Sequence, residues 1–116
     1  MATLLLGCGS VQQVCDDYAT AWCSAHYRCA TGAVLANLQS LYGQTAADCV
    51  VVKENSEHFN CNGASAICAP GTSYDTGAGE TCVSDTNKAG TDAGISCTDV
   101  LNDVDPPSCS LSVICH

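Results

Sequence analysis

The chain of 116 residues has three Lys/Arg against twelve Asp/Glu and a formal net charge of −9, which argues against a nucleic-acid binder because such proteins need clustered cations. Leu, Ile, Val and Phe supply only 22 residues, near the level at which apolar burial fails to offset the entropy of ordering the chain. Eleven cysteines without a C-x-x-C pair predict a disulfide framework in an oxidising compartment rather than a zinc or iron–sulfur site.

The first ten residues, MATLLLGCGS, contain an apolar run that ends at Gly7, directly before Cys8. This order resembles a bacterial lipobox, in which a small residue precedes the cysteine that becomes acylated. Because these residues contain no basic n-region, we expect residues 1–10 to be a remnant of a signal peptide, with an apolar strand or helical turn as the alternative. Residues 11–116 are predicted to form one disulfide-stabilised domain.

The clearest helical pattern covers residues 11–30. Its apolar stripe consists of Cys15, Tyr18, Trp22, Ala25 and Cys29, which are spaced as one face of a helix. Tyr18 and Trp22 are the largest side chains of that stripe, so we expect them to anchor the core.

Two further helices are predicted before residue 60. The second covers Ala33–Tyr42 and ends at Gly43. Thr45 and Asp48 form an approximate capping box that opens a third helix, which runs to about His58. Its expected inward-facing residues are Cys49, Val52 and Phe59. A strand over Val50–Val52 is the weaker alternative, because these residues are β-branched.

Glycines and prolines mark residues 60–79 as a loop. A fourth helix is predicted over Gly79–Ala89, and a fifth over Cys97–Asp103 with Ser96 as its cap and Pro106-Pro107 as its stop. The predicted fold class is therefore all-α, a small disulfide-rich helical domain of four to five short helices with long loops.

No residue is predicted to be catalytic, to bind a cofactor or to ligate a metal. The three histidines are His26, His58 and His116; we expect His26 to be a partly buried helix residue, and Cys115-His116 lacks the C-x-x-C-H spacing of haem attachment. The segment Asp85–Gly90 begins like an EF-hand loop, but position twelve would be Ser96 where a bidentate Glu is required, so it predicts a helix end and a turn. We interpret Asp99, Asp103 and Asp105 as a solvated helix face.

Eleven is an odd number, so at least one cysteine is unpaired within the chain, intermolecular or modified. We expect Cys8 to be the cysteine without a partner in the chain, and it is the candidate for lipidation. The ten disulfide candidates are Cys15, Cys23, Cys29, Cys49, Cys61, Cys68, Cys82, Cys97, Cys109 and Cys115. The alternative is that Cys8 pairs inside the domain and another cysteine, such as Cys115, is free.

The cysteine spacing begins C-x7-C-x5-C from Cys15 and continues with Tyr42-Gly43 six residues before a cysteine. It goes on through Pro70-Gly71-Thr72, Glu80-Thr81-Cys82, Ser96-Cys97-Thr98-Asp99 and Pro106-Pro107-Ser108-Cys109. From Cys15 to Cys109 this order resembles cysteine-rich secreted proteins and predicted lipoproteins of myxobacteria and related bacteria. The resemblance implies a secreted or lipid-anchored protein and assigns no site residue. A weaker likeness is that residues 105–113 are similar to the Pro-Pro-x-Cys-x-Leu-Thr-Val turn of elicitins, which are small sterol carriers.

The predicted function is that of an extracytoplasmic structural or binding module, secreted or lipid-anchored, with surface or matrix assembly as one role. The alternatives are a small extracellular lipid or sterol carrier, and a small secreted enzyme or inhibitor. The expected partner is a protein or a lipid, and self-assembly is an alternative. No nucleic-acid partner is expected. Membrane attachment is expected only through a lipid on Cys8. The expected location is extracellular or at the cell surface, in the outer membrane or periplasm if the chain is lipidated.

Overall fold

The computed structural model describes residues 11–54, Cys68 and residues 71–116. Within these ranges the helices are α1 (Val11–Cys29), α2 (Gly32–Tyr42), α3 (Ala46–Glu54), α4 (Thr76–Lys88), α5 (Cys97–Leu101), a 3₁₀ turn (Pro107–Cys109) and α6 (Leu111–Ile114). The described residues contain no strand beyond an isolated antiparallel bridge between Tyr74 and Cys115. The predicted all-α, disulfide-rich class is confirmed.

Helix α1 is the centre of the fold, and it packs against α4, α3 and α5. The face that it buries is made of small side chains, since Ala19, Ala21 and Cys23 are completely buried. The prediction that Tyr18 and Trp22 anchor the core is wrong, because both side chains are only partly buried. Small residues let the helix backbones approach closely, and the two large rings therefore lie at the margins of the packed face.

Helix α3 opens with the predicted capping box. The Asp48 backbone N–H donates to Thr45 Oγ1 at 3.2 Å, and the Thr45 N–H donates to Asp48 Oδ2 at 3.3 Å, so two N–H groups at the helix start are satisfied reciprocally. Cys49 is fully buried, but Val52 is 43% exposed, so its expected inward orientation is wrong, as is the strand alternative. Phe59 and His58 lie outside the described residues.

Helix α4 begins three residues before the predicted start. Asp75 is the N-cap, and its carboxylate accepts from the Ala78 N–H at 2.9 Å. Gly79, which the sequence suggested as the first helical residue, is buried inside the helix because the Tyr74 hydroxyl and the Val14 side chain lie where a Cβ would be. The glycine is thus required by packing and does not mark a break in the helix.

Helix α5 has the predicted cap, since the Ser96 hydroxyl oxygen accepts from the Asp99 N–H at 3.1 Å. It ends at Leu101, two residues before the predicted end. Asp103 has a left-handed backbone, with φ of 60°. That conformation is incompatible with a continuing α-helix and turns the chain towards Pro106.

Four disulfides join these elements. Cys23–Cys49 joins α1 to α3, Cys29–Cys97 joins α1 to α5, Cys82–Cys109 joins α4 to the 3₁₀ turn, and Cys68 is bonded to Cys115. Cys15 is disulfide-bonded as well. All nine disulfide candidates in the described part of the chain are thus bonded, while Cys8 and Cys61 lie outside it. Of the described helices, α1, α3, α4 and α5 each contain a bonded cysteine, as does the 3₁₀ turn, whereas α2 and α6 contain none.

Candidate binding cleft

A cleft of about 280 Å³ lies between α1, α4 and the C-terminal segment. Val14 of α1, Leu111 and Ile114 of α6, and the Cys82–Cys109 disulfide give it apolar walls. Its polar groups come from Tyr18, Tyr74 and Asp105. The volume lies just below the usual range for ligand pockets, roughly 300–1,000 Å³, so the cleft suits a small ligand rather than a long lipid.

Tyr18 and Asp105 form a hydrogen-bonded pair in the lining of the cleft. The Tyr18 hydroxyl donates to Asp105 Oδ1 at 3.0 Å across 87 residues of sequence. The pKa of Tyr18 is raised, first by burial and then by the negative charge and hydrogen bond of Asp105. Tyr18 is therefore a neutral donor whose partner is a carboxylate.

The third polar residue of the lining is Tyr74, in the segment that precedes α4. This segment is held against the C-terminus, because the Asp75 N–H donates to the Ile114 carbonyl at 2.7 Å and the His116 N–H donates to the Ser73 carbonyl at 3.0 Å. The pKa of Tyr74 is also raised, first by burial and then by the charges of Glu80 and Asp75. Burial and nearby carboxylates thus both disfavour ionisation of the two tyrosines of the cleft.

A second cluster of polar and aromatic groups surrounds Trp22. The His26 ring stacks on it at a centroid distance of 3.6 Å, Tyr42 meets it edge-on at 5.6 Å, and Lys53 Nζ lies 4.0 Å from its centroid. The pKa of Lys53 is lowered by burial, which outweighs the opposing effect of Asp103 and of Asp105. We call these four residues the Trp22 cluster.

His26 in the Trp22 cluster is not arranged as a catalytic base. Its Nδ1 lies 2.9 Å from the Trp22 carbonyl oxygen, and its Nε2 faces Asp103 Oδ1 at 3.5 Å. A general base needs a nitrogen directed at the substrate, but both nitrogens of His26 face protein atoms. The adjoining cavity, of about 10 Å³, is no larger than one water molecule needs.

The acidic residues that the sequence suggested as a solvated helix face are placed differently. Asp99 is part of α5, but Asp103 faces His26, and Asp105 lies outside the helix and binds Tyr18. Asp103 and Asp105 are both solvent-exposed, as expected, but they lie beyond the end of α5, so the helix-face part of the interpretation is wrong for these two residues. The Asp85–Gly90 segment is the predicted helix end and turn, since α4 ends at Lys88.

His116, which had no predicted role, lies with Nε2 3.0 Å from Asp75 Oδ2 and supports the cap of α4. Within residues 11–54, 68 and 71–116, no group of three or more His, Cys, Asp or Glu side chains is arranged to hold a metal ion. No described helix is both long and apolar enough to cross a bilayer.

Sequence reasoning missed the cleft as a unit. Tyr18 was assigned to the core, and Tyr74 fell in a stretch expected to be loop. The available signal was the Asp105-Pro106-Pro107 run, because its prolines fix the backbone directly after the carboxylate. Even so, nothing local indicates that this run packs against α1.

No protein-family model, no curated protein and no solved structure matches this chain. The function is therefore inferred from the chemistry of the cleft and from the disulfide framework.

Proposed function

We propose that the chain is an extracytoplasmic, disulfide-stabilised binding module that holds a small, largely apolar ligand in the cleft between α1, α4 and α6. The observation that carries this proposal is the combination of apolar walls with a few polar groups, which is the usual composition of a small-molecule site. The described disulfides support the location, because such bonds persist in oxidising compartments.

Secretion or lipid attachment through Cys8 belongs to the same proposal. It is supported by the lipobox-like sequence and by the resemblance to myxobacterial secreted proteins and lipoproteins. A lipid or sterol carrier is less well supported, because a cleft of about 280 Å³ is small for such a cargo. Among the described residues, the His26 geometry does not favour an enzyme.

The test is a titration of the oxidised, isotope-labelled chain with 2-phenylethanol, followed by amide chemical shifts, because small ligands bind weakly. We expect saturable shifts at Tyr18, Tyr74 and Ile114. Shifts that grow linearly without saturation, or that are spread over the surface, would contradict the proposal.

A matched pair of variants locates the site. Leu111→Trp places a large ring at the cleft wall, and Val113→Trp places the same ring on the same short helix at a residue that does not line the cleft. Both residues are substantially exposed, at 61% and 43%, so neither change disturbs the core. We expect Leu111→Trp to abolish saturable binding and Val113→Trp to leave it unchanged; equal binding by both variants would overturn the assignment.

A further inference from the structure

We propose that the ligand of the cleft is a small organic cation, an ammonium group on an apolar or aromatic body, with the ammonium at Asp105 and the body against the apolar walls. This inference rests on the proposed function and specifies the chemical class of its ligand. It is carried by the charge and the geometry of the cleft residues.

Asp105 supplies the charge. Of the described residues that line the cleft, it alone is ionic. Its Oδ1 accepts the Tyr18 hydroxyl at 3.0 Å, and because a phenol is neutral, this bond orients the carboxylate without neutralising it. Asp105 is exposed, so an ammonium group can approach it and form a charge-assisted hydrogen bond.

Carboxylates act on both tyrosines of the cleft. Beside burial, the pKa of Tyr18 is raised by the charges of Asp105 and Asp103 and by the hydrogen bond to Asp105, and the pKa of Tyr74 is raised by the charges of Glu80 and Asp75. An anionic group placed beside Asp105 would therefore meet a like charge.

Two cationic or titratable groups lie near Asp105. Lys53 interacts with both Asp103 and Asp105, and His26 faces Asp103 at 3.5 Å. Both are part of the Trp22 cluster rather than the lining of the cleft. Lys53 is thus shared between two carboxylates.

The aromatic rings add a second attraction for a cation. Tyr18 and Tyr74 both line the cleft, and a ring face attracts an ammonium group through its quadrupole. The chain already uses this interaction elsewhere, where Lys53 lies over Trp22. The net charge of −9 additionally favours the approach of cations over long distances.

The experiment compares three ligands of similar shape on the full oxidised chain at low ionic strength: 2-phenylethylammonium, 2-phenylethanol and 3-phenylpropanoate. A charge-assisted hydrogen bond and a cation–π contact together predict that the cation binds about tenfold more tightly than the alcohol. We expect the anion to bind more weakly than the alcohol. Equal affinities for cation and alcohol would overturn the inference while leaving the proposed function standing, and absence of saturable binding by all three would overturn both.

Two variants that change the net charge equally test whether the preference for the cation over the alcohol depends on Asp105. Asp105→Asn keeps an oxygen that can accept the Tyr18 hydroxyl, so the fold is expected to persist and is checked by its thermal transition. We expect this variant to lose the preference for the cation over the alcohol, whereas Asp99→Asn retains it. A preference that survives in Asp105→Asn would overturn the inference, because it would then reflect the net charge alone.

Discussion

His26 Nε2 and Asp103 Oδ1 lie 3.5 Å apart, and the nitrogen is buried without a hydrogen-bond partner. The Trp22 carbonyl 2.9 Å from Nδ1 can only accept, so Nδ1 carries a hydrogen. In the neutral ring, Nε2 therefore presents a lone pair to a carboxylate oxygen. Such a buried, unsatisfied polar atom costs free energy, since it has lost its water without gaining a partner.

We expect His26→Phe to change the free energy of unfolding by less than about 1 kcal/mol, because the loss of the Nδ1 hydrogen bond is offset by removal of an unsatisfied atom, and a ring is kept on Trp22. Thr86→Val is the matched comparison. Thr86 is equally buried, but its hydroxyl donates to the Cys82 carbonyl at 2.8 Å, so its loss should cost more. Chemical denaturation measures both. A greater cost for His26→Phe than for Thr86→Val would contradict the description of Nε2 as an unsatisfied buried atom.

The lowered pKa of Asp75 predicts how the free energy of unfolding depends on pH in the acid range. Its pKa is lowered, first by the Ala78 N–H and then by the hydrogen bond from His116. A carboxylate with a lowered pKa in the folded state contributes stability that is present above its unfolded pKa of about 3.9 and is lost as the pH falls through the folded value.

The expected result is that Asp75→Asn flattens the loss of stability below about pH 4, the range set by the unfolded pKa. Unfolding curves recorded from neutral to acid pH measure it, with exposed Glu80→Gln as the control outside the cap. If the free energy of unfolding of Asp75→Asn fell with decreasing pH as steeply as that of the unchanged chain, the role of this carboxylate would be contradicted.

The Cys29–Cys97 bridge spans 68 residues, the longest separation among the described bridges. In the chain-entropy model, replacing both cysteines by alanine should lower the free energy of unfolding by about 4 kcal/mol. The same change at Cys82–Cys109, which spans 27 residues, should cost about 3.5 kcal/mol in that model. Thermal and denaturant unfolding measure both variants. An unshifted, sharp transition after complete reduction and alkylation of the chain would contradict the dependence of this fold on its disulfides.

The other bridges narrow the partner of Cys15 to two cysteines. Cys15 is disulfide-bonded, and the other eight described cysteines pair among themselves, which leaves Cys8 and Cys61. We expect Cys61 to be the partner and Cys8 to be unpaired within the chain or lipidated. Non-reducing peptide mapping by mass spectrometry tests this, and a peptide linking Cys8 to Cys15 would remove the main support for the lipobox interpretation.

Local signals in the sequence predicted most of the helices, because their caps act over a few residues. The Thr45–Asp48 box and the Ser96 cap are examples. The start of α4 was missed because Gly77 and Gly79 suggested a loop, whereas Gly79 is required by the packing of Tyr74 and Val14. That requirement is tertiary and leaves no local signal.

The cleft could not be predicted for the same reason. The Tyr18–Asp105 hydrogen bond joins residues 87 positions apart. The isolated β-bridge between Tyr74 and Cys115 joins the segment before α4 to the C-terminal segment. Both contacts depend on how the disulfides arrange the helices, and the positions of the cysteines alone do not give their pairing.

The most direct test of the cleft as the ligand site is the set of intermolecular nuclear Overhauser effects between bound 2-phenylethylammonium and the oxidised chain. The predicted result is contacts from the phenyl protons to the methyl groups of Leu111 and Ile114, and from the methylene beside the ammonium to the ring of Tyr18. Contacts to the rings of Trp22 and Tyr42 instead would place the cation at the Trp22 cluster and contradict the assignment of the cleft.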